Sequence, residues 1–241
     1  MKTTKRICLW SSPRNLSTAF MYSWAQRSDT TVVDEPLYGY FLNHTGAERP
    51  GRDEVIKSMD TNGKRVIAAM LHSDYNTPVV FFKHLTNQAV DLDWSFMQQM
   101  VNLFFIRDPK QIISSFAQVI QNPAMIDIAM KMQYNCFEFA LQNKFNTIVL
   151  DSFQLLKNPK AVLQKLCDRI EIDFDENMLH WQPGPKPYDG VWAPYWYANV
   201  HQSSGFDVQP TSERPLPAHL ISLYEEAKPF YEKMFQYSIK A

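Results

Sequence analysis

The sequence is short of glycine, with 7 among 241 residues, and it has no Gly/Ser-rich linker, internal repeat or low-complexity tract. Nothing therefore marks a joint, and residues 1–241 read as a single domain, a length that one core accommodates. Neither sign of charge is in excess: 24 Lys plus Arg stand against 25 Asp plus Glu, a formal net charge of −1. That balance argues against a protein that coats nucleic acid or anionic membrane by bulk charge, so any anion site is local. No apolar run reaches the length needed to cross a bilayer. The basic start, Met1 to Arg6, is followed only by Ile7-Cys8-Leu9-Trp10, too short for the apolar core of a signal peptide. The cysteines (Cys8, Cys136, Cys167) are odd in number and form no C-x-x-C pair, which reads as reduced core thiols in a cytoplasmic protein. The histidines make no H-x-x-x-H pair, and no cysteine cluster accompanies them, so no metal site is expected.

What is present is apolar material in short blocks. Hydrophobic residues make up 45% of the chain and aromatics 14%, enough for a sizeable core. Five runs are continuously apolar rather than alternating: Arg6 to Trp10, Thr30 to Val33, Pro78 to Phe82, Asn102 to Ile106 and Thr147 to Leu150. Strands covered by helices on both faces have that pattern. Helical stretches fall between them. Asp53 is placed to cap a helix from Glu54 to Met59, and Asp108 to cap one that opens with Pro109. Pro123 to Lys144, Pro159 to Ile170 and Pro217 to Tyr237 also have helical spacing, with Pro229 expected to kink or break the last. The alternation predicts an α/β fold of three layers around a mainly parallel sheet, with ligands at the carboxyl ends of the strands.

Two segments at such ends carry anion chemistry. The first strand runs into Ser11-Ser12-Pro13-Arg14-Asn15-Leu16-Ser17-Thr18 and then into a helix. Free backbone N–H groups, the helix dipole, two hydroxyls and a permanently charged guanidinium would converge there on an anion. An N-capped helix with Arg14 on the surface is the plainer reading, and the loop alone does not choose between the two. It is not G-x-x-x-x-G-K-[ST], since both glycines and the lysine are missing. The second segment follows the strand ending at Ile106: Arg107 leaves the strand end and Ser115 lies about two turns into the next helix. A guanidinium and a hydroxyl so placed grip a phosphate from two sides, although an ordinary helix start with Arg107 in a salt bridge explains the same residues.

Together the segments resemble the sulfotransferases that use 3′-phosphoadenosine 5′-phosphosulfate (PAPS), a P-loop nucleotide-binding type of fold. Pro13-Arg14-Asn15-Leu16-Ser17-Thr18 is similar to that family's P-[KR]-x-x-[ST]-[ST] loop, and Arg107 with Ser115 eight positions on matches its strand-end Arg and Ser. Val149-Leu150-Asp151 through Asn158-Pro159, followed by Leu166-Cys167-Asp168-Arg169-Ile170, resembles a third family segment. Leu16 stands where many cytosolic members have glycine, and the C-terminal R-K-G-x-x-G segment is absent, with Ser203-Ser204-Gly205 as a stand-in. The segment from Asp189 to Tyr197 looks like that of sulfotransferase-like proteins, some labelled aminotransferase-like. The resemblance implies PAPS as donor, held by Ser12, Pro13, Arg14, Asn15, Leu16, Ser17, Thr18, Arg107 and Ser115, and a small hydroxylated or amine acceptor.

For the chemistry, the resemblance implies that Arg14 steadies the leaving oxygen and that Lys83, at the end of the third strand, lies near the sulfuryl group. Two residues compete for the base. Glu35 follows the second strand, on the acceptor side in related bacterial enzymes; His84 resembles a family histidine but sits one residue early, which in a strand turns a side chain to the other face. Glu35 is favoured. The aromatic group Trp181, Trp192, Tyr195, Trp196 and Tyr197 fits either core or an acceptor-pocket wall. The competing readings are a P-loop nucleotide kinase or phosphatase-like enzyme and a nucleotide-binding protein without turnover.

Overall fold

The computed structural model describes residues 4–207 and 214–241; Met1 to Thr3 of the basic start lie outside them. The five apolar runs form strands β1 (Lys5–Ser11), β2 (Thr30–Asp34), β3 (Val79–Leu85), β4 (Val101–Ile106) and β5 (Thr147–Asp151). All pair in parallel, in the order β2-β3-β1-β4-β5. Alternate side chains enter two cores. Cys8, Trp10, Val80, Phe82 and Phe104 face one side, and Ile7, Leu9, Phe81, Leu103 and Phe105 the other. Because both faces are covered, the strands have no polar face to alternate with. β3 continues past its apolar run through Lys83, His84 and Leu85.

The helices are α1 (Ser17–Trp24), α2 (Tyr38–Thr45), α3 (Arg52–Ser58), α4 (Gly63–His72), α5 (Pro109–Phe116), α6 (Met125–Ile128), α7 (Met130–Gln142), α8 (Ser152–Lys157), α9 (Pro159–Ile170), α10 (Ala193–Trp196) and α11 (Ile221–Phe235). Asp108 caps α5 through the Lys110 N–H, and Asn158 caps α9 ahead of Pro159. Asp53, expected as a cap, lies instead in the first turn of α3. Gly51 is the cap there, at φ 75°. α11 runs on through Pro229. Among the described residues no helix is long and apolar enough to cross a membrane, and the three cysteines are free and buried.

The expected helix from Pro123 to Lys144 is two helices, separated by Ala129 in the left-handed region at φ 57°. α7 also ends before Lys144, which is left-handed too at φ 57°. Phe145 N–H donates to the Ala140 carbonyl at 2.9 Å and Lys144 N–H to the Leu141 carbonyl at 3.0 Å. This is a Schellman cap with lysine where glycine is usual. A Cβ in that conformation costs about 1–2 kcal/mol, against about 0.5–1 kcal/mol of extra chain entropy for glycine. Lys144 is exposed, so Lys144→Gly loses no packing. It is expected to stabilise the fold by about 0.5–1 kcal/mol, read as a rise of about 1–4 °C in thermal unfolding.

β1 is central. The chain goes to β2 and β3 on one side, then crosses to β4 and β5 on the other. The crevice of such a sheet opens where the direction reverses, at the carboxyl end of β1.

Candidate active site

The loop leaving β1 turns sharply without glycine. Arg14 has φ 60° and Leu16 φ 57°, so Leu16 takes the left-handed conformation that a glycine would adopt freely. The fold holds that strain from behind. Ser12 Oγ donates to Gln133 Oε1 at 3.0 Å, and Gln133 Nε2 donates to the Trp10 carbonyl at 2.8 Å and the Phe105 carbonyl at 2.9 Å. Asn15 Nδ2 bonds the Phe105 carbonyl, while its Oδ1 is buried with no partner among the described residues. Ser17 and Thr18 then open α1, whose first N–H groups receive no side-chain cap.

Two guanidiniums stand beside this loop. Arg107, 4% exposed, donates through one terminal nitrogen to the Arg14 carbonyl at 2.9 Å and through Nε to Gln111 Oε1 at 2.8 Å. Arg14 Nε donates to Ser115 Oγ at 3.0 Å. Among the described residues neither arginine forms an ion pair. Burial, and then the charge of Arg14, push Arg107 down to about 10. Burial, and then Arg214, lower Arg14 as well. Asp151 and Asp108 oppose that shift in Arg107 only from beyond ion-pair distance, and two like charges side by side with no ion pair among the described residues can accept an anion.

The opposite end of the cleft is built at the ends of β2 and β3, where Asp34 and Lys83 are register partners. Lys83, 1% exposed, donates to Asp34 Oδ1 at 3.0 Å, to Tyr197 OH at 2.8 Å and to Glu35 Oε1. An ammonium has three hydrogens, and each has a protein partner. Glu35 Oε2 accepts from Gln88 Nε2. The Glu35 backbone, at φ 43°, turns out of the strand while its N–H still bonds the Lys83 carbonyl at 2.8 Å. Burial raises Asp34 to about 6, with Lys83 opposing and Glu35 adding to the rise. Burial alone would depress Lys83, but the carboxylates outweigh it and hold its ammonium above the ordinary lysine range.

His84, the next residue of β3, points to the other face. Its ring stacks on Trp10 with centroids 5.0 Å apart, and neither ring nitrogen has a partner among the described residues. Burial, then Lys83, push its pKa down to about 3.

The two ends share one cleft of about 1400 Å³, counted out to its open mouth. Pro13, Arg14, Asn15, Leu16, Ser17, Thr18, Glu35, Lys83, Arg107 and Ser115 all line it. Ser12 braces the loop from behind, and His84 lies outside the cleft, sealed in the core. Of the aromatic group, Trp192, Trp196 and Tyr197 line the wall. Trp181 belongs to the core against Phe206, and Tyr195 is half-exposed over Gly51. Ser203 and Gly205 also line the cleft.

Sequence reasoning missed Asp34, Gln88, Gln133 and the Arg49–Asp127 ion pair (2.7 Å) at the cleft. Asp34 carried a signal, a carboxylate ending a buried strand beside Glu35. Gln133, the fourth residue of α7, carried none.

Known proteins share this arrangement of chain. The sequence is 39% identical over 223 residues to Branched-chain-amino-acid aminotransferase-like protein 1 of Arabidopsis thaliana, covering 92% of this chain and 40% of that protein. It is 35% identical to protein 2 of the same name, with the same coverage. The chain thus spans about two-fifths of the length of these curated relatives. The sulfotransferase domain of the Synechococcus PCC 7002 olefin synthase superposes with a TM-score of 0.60 at 16% identity, over 99% of this chain and 97% of that one. The sulfotransferase domain of the curacin biosynthetic pathway gives 0.53 at 14% identity, over 98% of each chain. At such identities these two show the fold. The model of the sulfotransferase domain matches residues 5–238, and the protein therefore belongs to the sulfotransferase domain family.

Proposed function

We propose that the protein transfers a sulfuryl group from PAPS to a hydroxyl or amine of a small acceptor. The observation that carries this reading is the pair of the buried Arg107 and the half-buried Arg14, which form no ion pair among the described residues and line the same cleft as Glu35. A donor with phosphates at both its 3′ and 5′ ends fits such a pair and the uncapped start of α1. When bound, PAPS supplies the sulfuryl group and a phosphate as leaving group. Arg107 and Ser115 hold the 3′-phosphate; the loop Pro13 to Thr18 holds the 5′ end, with Arg14 compensating charge on the leaving oxygen. Glu35 accepts the proton of the acceptor at a carboxylate oxygen. Lys83 has no hydrogen to spare and acts by holding Glu35 in place. Trp192, Trp196 and Tyr197 exclude water from the acceptor side.

The aminotransferase-like names of the longer relatives do not transfer to this chain. Among the described residues that line the cleft Lys83 is the one lysine. Two carboxylates keep it protonated, whereas Schiff-base formation needs a neutral amine.

The test is nucleotide selectivity. 3′-Phosphoadenosine 5′-phosphate is expected to bind at least about tenfold more tightly than AMP, since a charge-assisted contact contributes roughly 1.5–3 kcal/mol. Equal affinities by titration calorimetry overturn the assignment.

A further inference from the structure

The segment from Asp189 to Tyr197 aims its polar atoms at one target. Gly190 N–H donates to Asp34 Oδ2 at 3.3 Å, and the Tyr197 hydroxyl donates to the same oxygen at 2.7 Å. That hydroxyl accepts from Lys83 Nζ at 2.8 Å and from Trp192 Nε1 at 3.0 Å, which uses its donor and both its lone pairs. The segment is anchored behind: the Asp189 carboxylate accepts from the Tyr22 hydroxyl of α1 at 2.7 Å and lies 3.0 Å from His201 Nε2. Gly190 is needed for the indole to fold back, since a Cβ there would stand 2.2 Å from the Trp192 ring.

We propose that this segment is a positioning device for Glu35. Through Gly190, Trp192 and above all the Tyr197 hydroxyl, it closes a ring of hydrogen bonds around Asp34 and Lys83 and so fixes the Lys83–Glu35 pair in the cleft. The inference rests on the reading of Glu35 as the base.

The mechanism is a division of charge. Lys83 lies between two carboxylates, and the share that Asp34 takes is withheld from Glu35. The Tyr197 hydroxyl favours the ionised form of Asp34, because a hydrogen bond to a charged form stabilises it. Without it Asp34 protonates at higher pH, the full charge of Lys83 falls on Glu35, and Glu35 is bound more tightly to the ammonium and less free to meet the acceptor. The groups facing Asp34 are Lys83 from β3, Glu35 beside it, Tyr197 and the Gly190 N–H from the segment, and the Tyr22 phenol from α1.

Tyr197→Phe keeps the ring and removes the hydroxyl. In nucleotide-free protein labelled with ¹³C-aspartate, the Asp34 carboxyl is expected to titrate about one pH unit higher than in wild type. With PAPS and 4-ethylphenol as probe acceptor, kcat is expected to fall by about tenfold or more, while affinity for 3′-phosphoadenosine 5′-phosphate is unchanged. Gly190→Ala, which displaces the indole, should move both readouts in the same direction. It serves as the second variant if the first fails to fold. An unmoved Asp34 titration with unchanged kcat overturns the inference. If Glu35→Gln abolishes turnover while Tyr197→Phe moves neither readout, only the positioning role falls. If Glu35→Gln retains turnover, the base assignment falls, and the positioning role with it.

Discussion

Glu35→Gln is expected to lower turnover by about 10²–10⁴-fold, the usual contribution of a positioned general base. The amide keeps the size of the carboxylate but has no oxygen able to take the acceptor's proton. It still offers Lys83 a carbonyl oxygen, so the cleft should remain assembled. Affinity for 3′-phosphoadenosine 5′-phosphate should barely change, because the nearest positive charge to Glu35 is Lys83 rather than the arginines of the phosphate end. Single-turnover assays with PAPS and 4-ethylphenol separate the two quantities. His84→Asn, on the closed face of β3 against Trp10, is expected to leave the turnover of folded protein within about threefold of wild type, since it supplies no group to the cleft. Near-normal turnover in Glu35→Gln would remove the base assignment, and a collapse confined to His84→Asn would move it to the histidine.

Arg107→Ala is the second large effect. The guanidinium is the 3′-phosphate contact proposed for the site, and its donation to the Arg14 carbonyl also holds the loop. Affinity for 3′-phosphoadenosine 5′-phosphate should fall by about 10–100-fold, the equivalent of roughly 1.5–3 kcal/mol. AMP, which lacks the 3′-phosphate, should lose far less, so the preference between the two nucleotides should disappear. Calorimetric titration of both ligands against both proteins gives the four affinities required. A variant that keeps the preference would show that another group reads the 3′ end.

The features legible in the sequence were those with a local cause. Each buried parallel strand is a continuous apolar run, so β1, β2, β4 and β5 differ from their sequence limits by only a residue or so at an end. The loop after β1 and the pair Arg107 and Ser115 could be placed at the cleft because they follow strand ends, where a sheet of this kind binds ligands, but each alone has a plainer explanation, and their reading as a phosphate grip came from the family resemblance. What could not be read depends on distant contacts. β3 extends beyond Phe82 because Lys83 finds Asp34 across the register and Tyr197 from a remote segment. That extension puts Lys83 in the cleft and turns His84 away from it. Ala129 breaks a helix with neither glycine nor proline to announce it. Asp53 satisfied the rule for a cap, yet the chain enters α3 two residues sooner, through Gly51 against the ring of Tyr195.

The bond between the Tyr197 hydroxyl and Asp34 joins residues 163 positions apart. This has a consequence for the order in which the protein is made. Closing a loop of that length costs about 4–5 kcal/mol of chain entropy beyond a constant, and nothing opposes that cost until the later partner exists. On the ribosome, Asp34, Glu35 and Lys83 emerge long before Tyr197. The sheet can therefore begin to pair while its two carboxylates and its lysine are still open to water. The base acquires its setting only when the aromatic segment arrives, so the capacity to bind a nucleotide, built largely from earlier residues, should precede the capacity to turn it over as the chain folds.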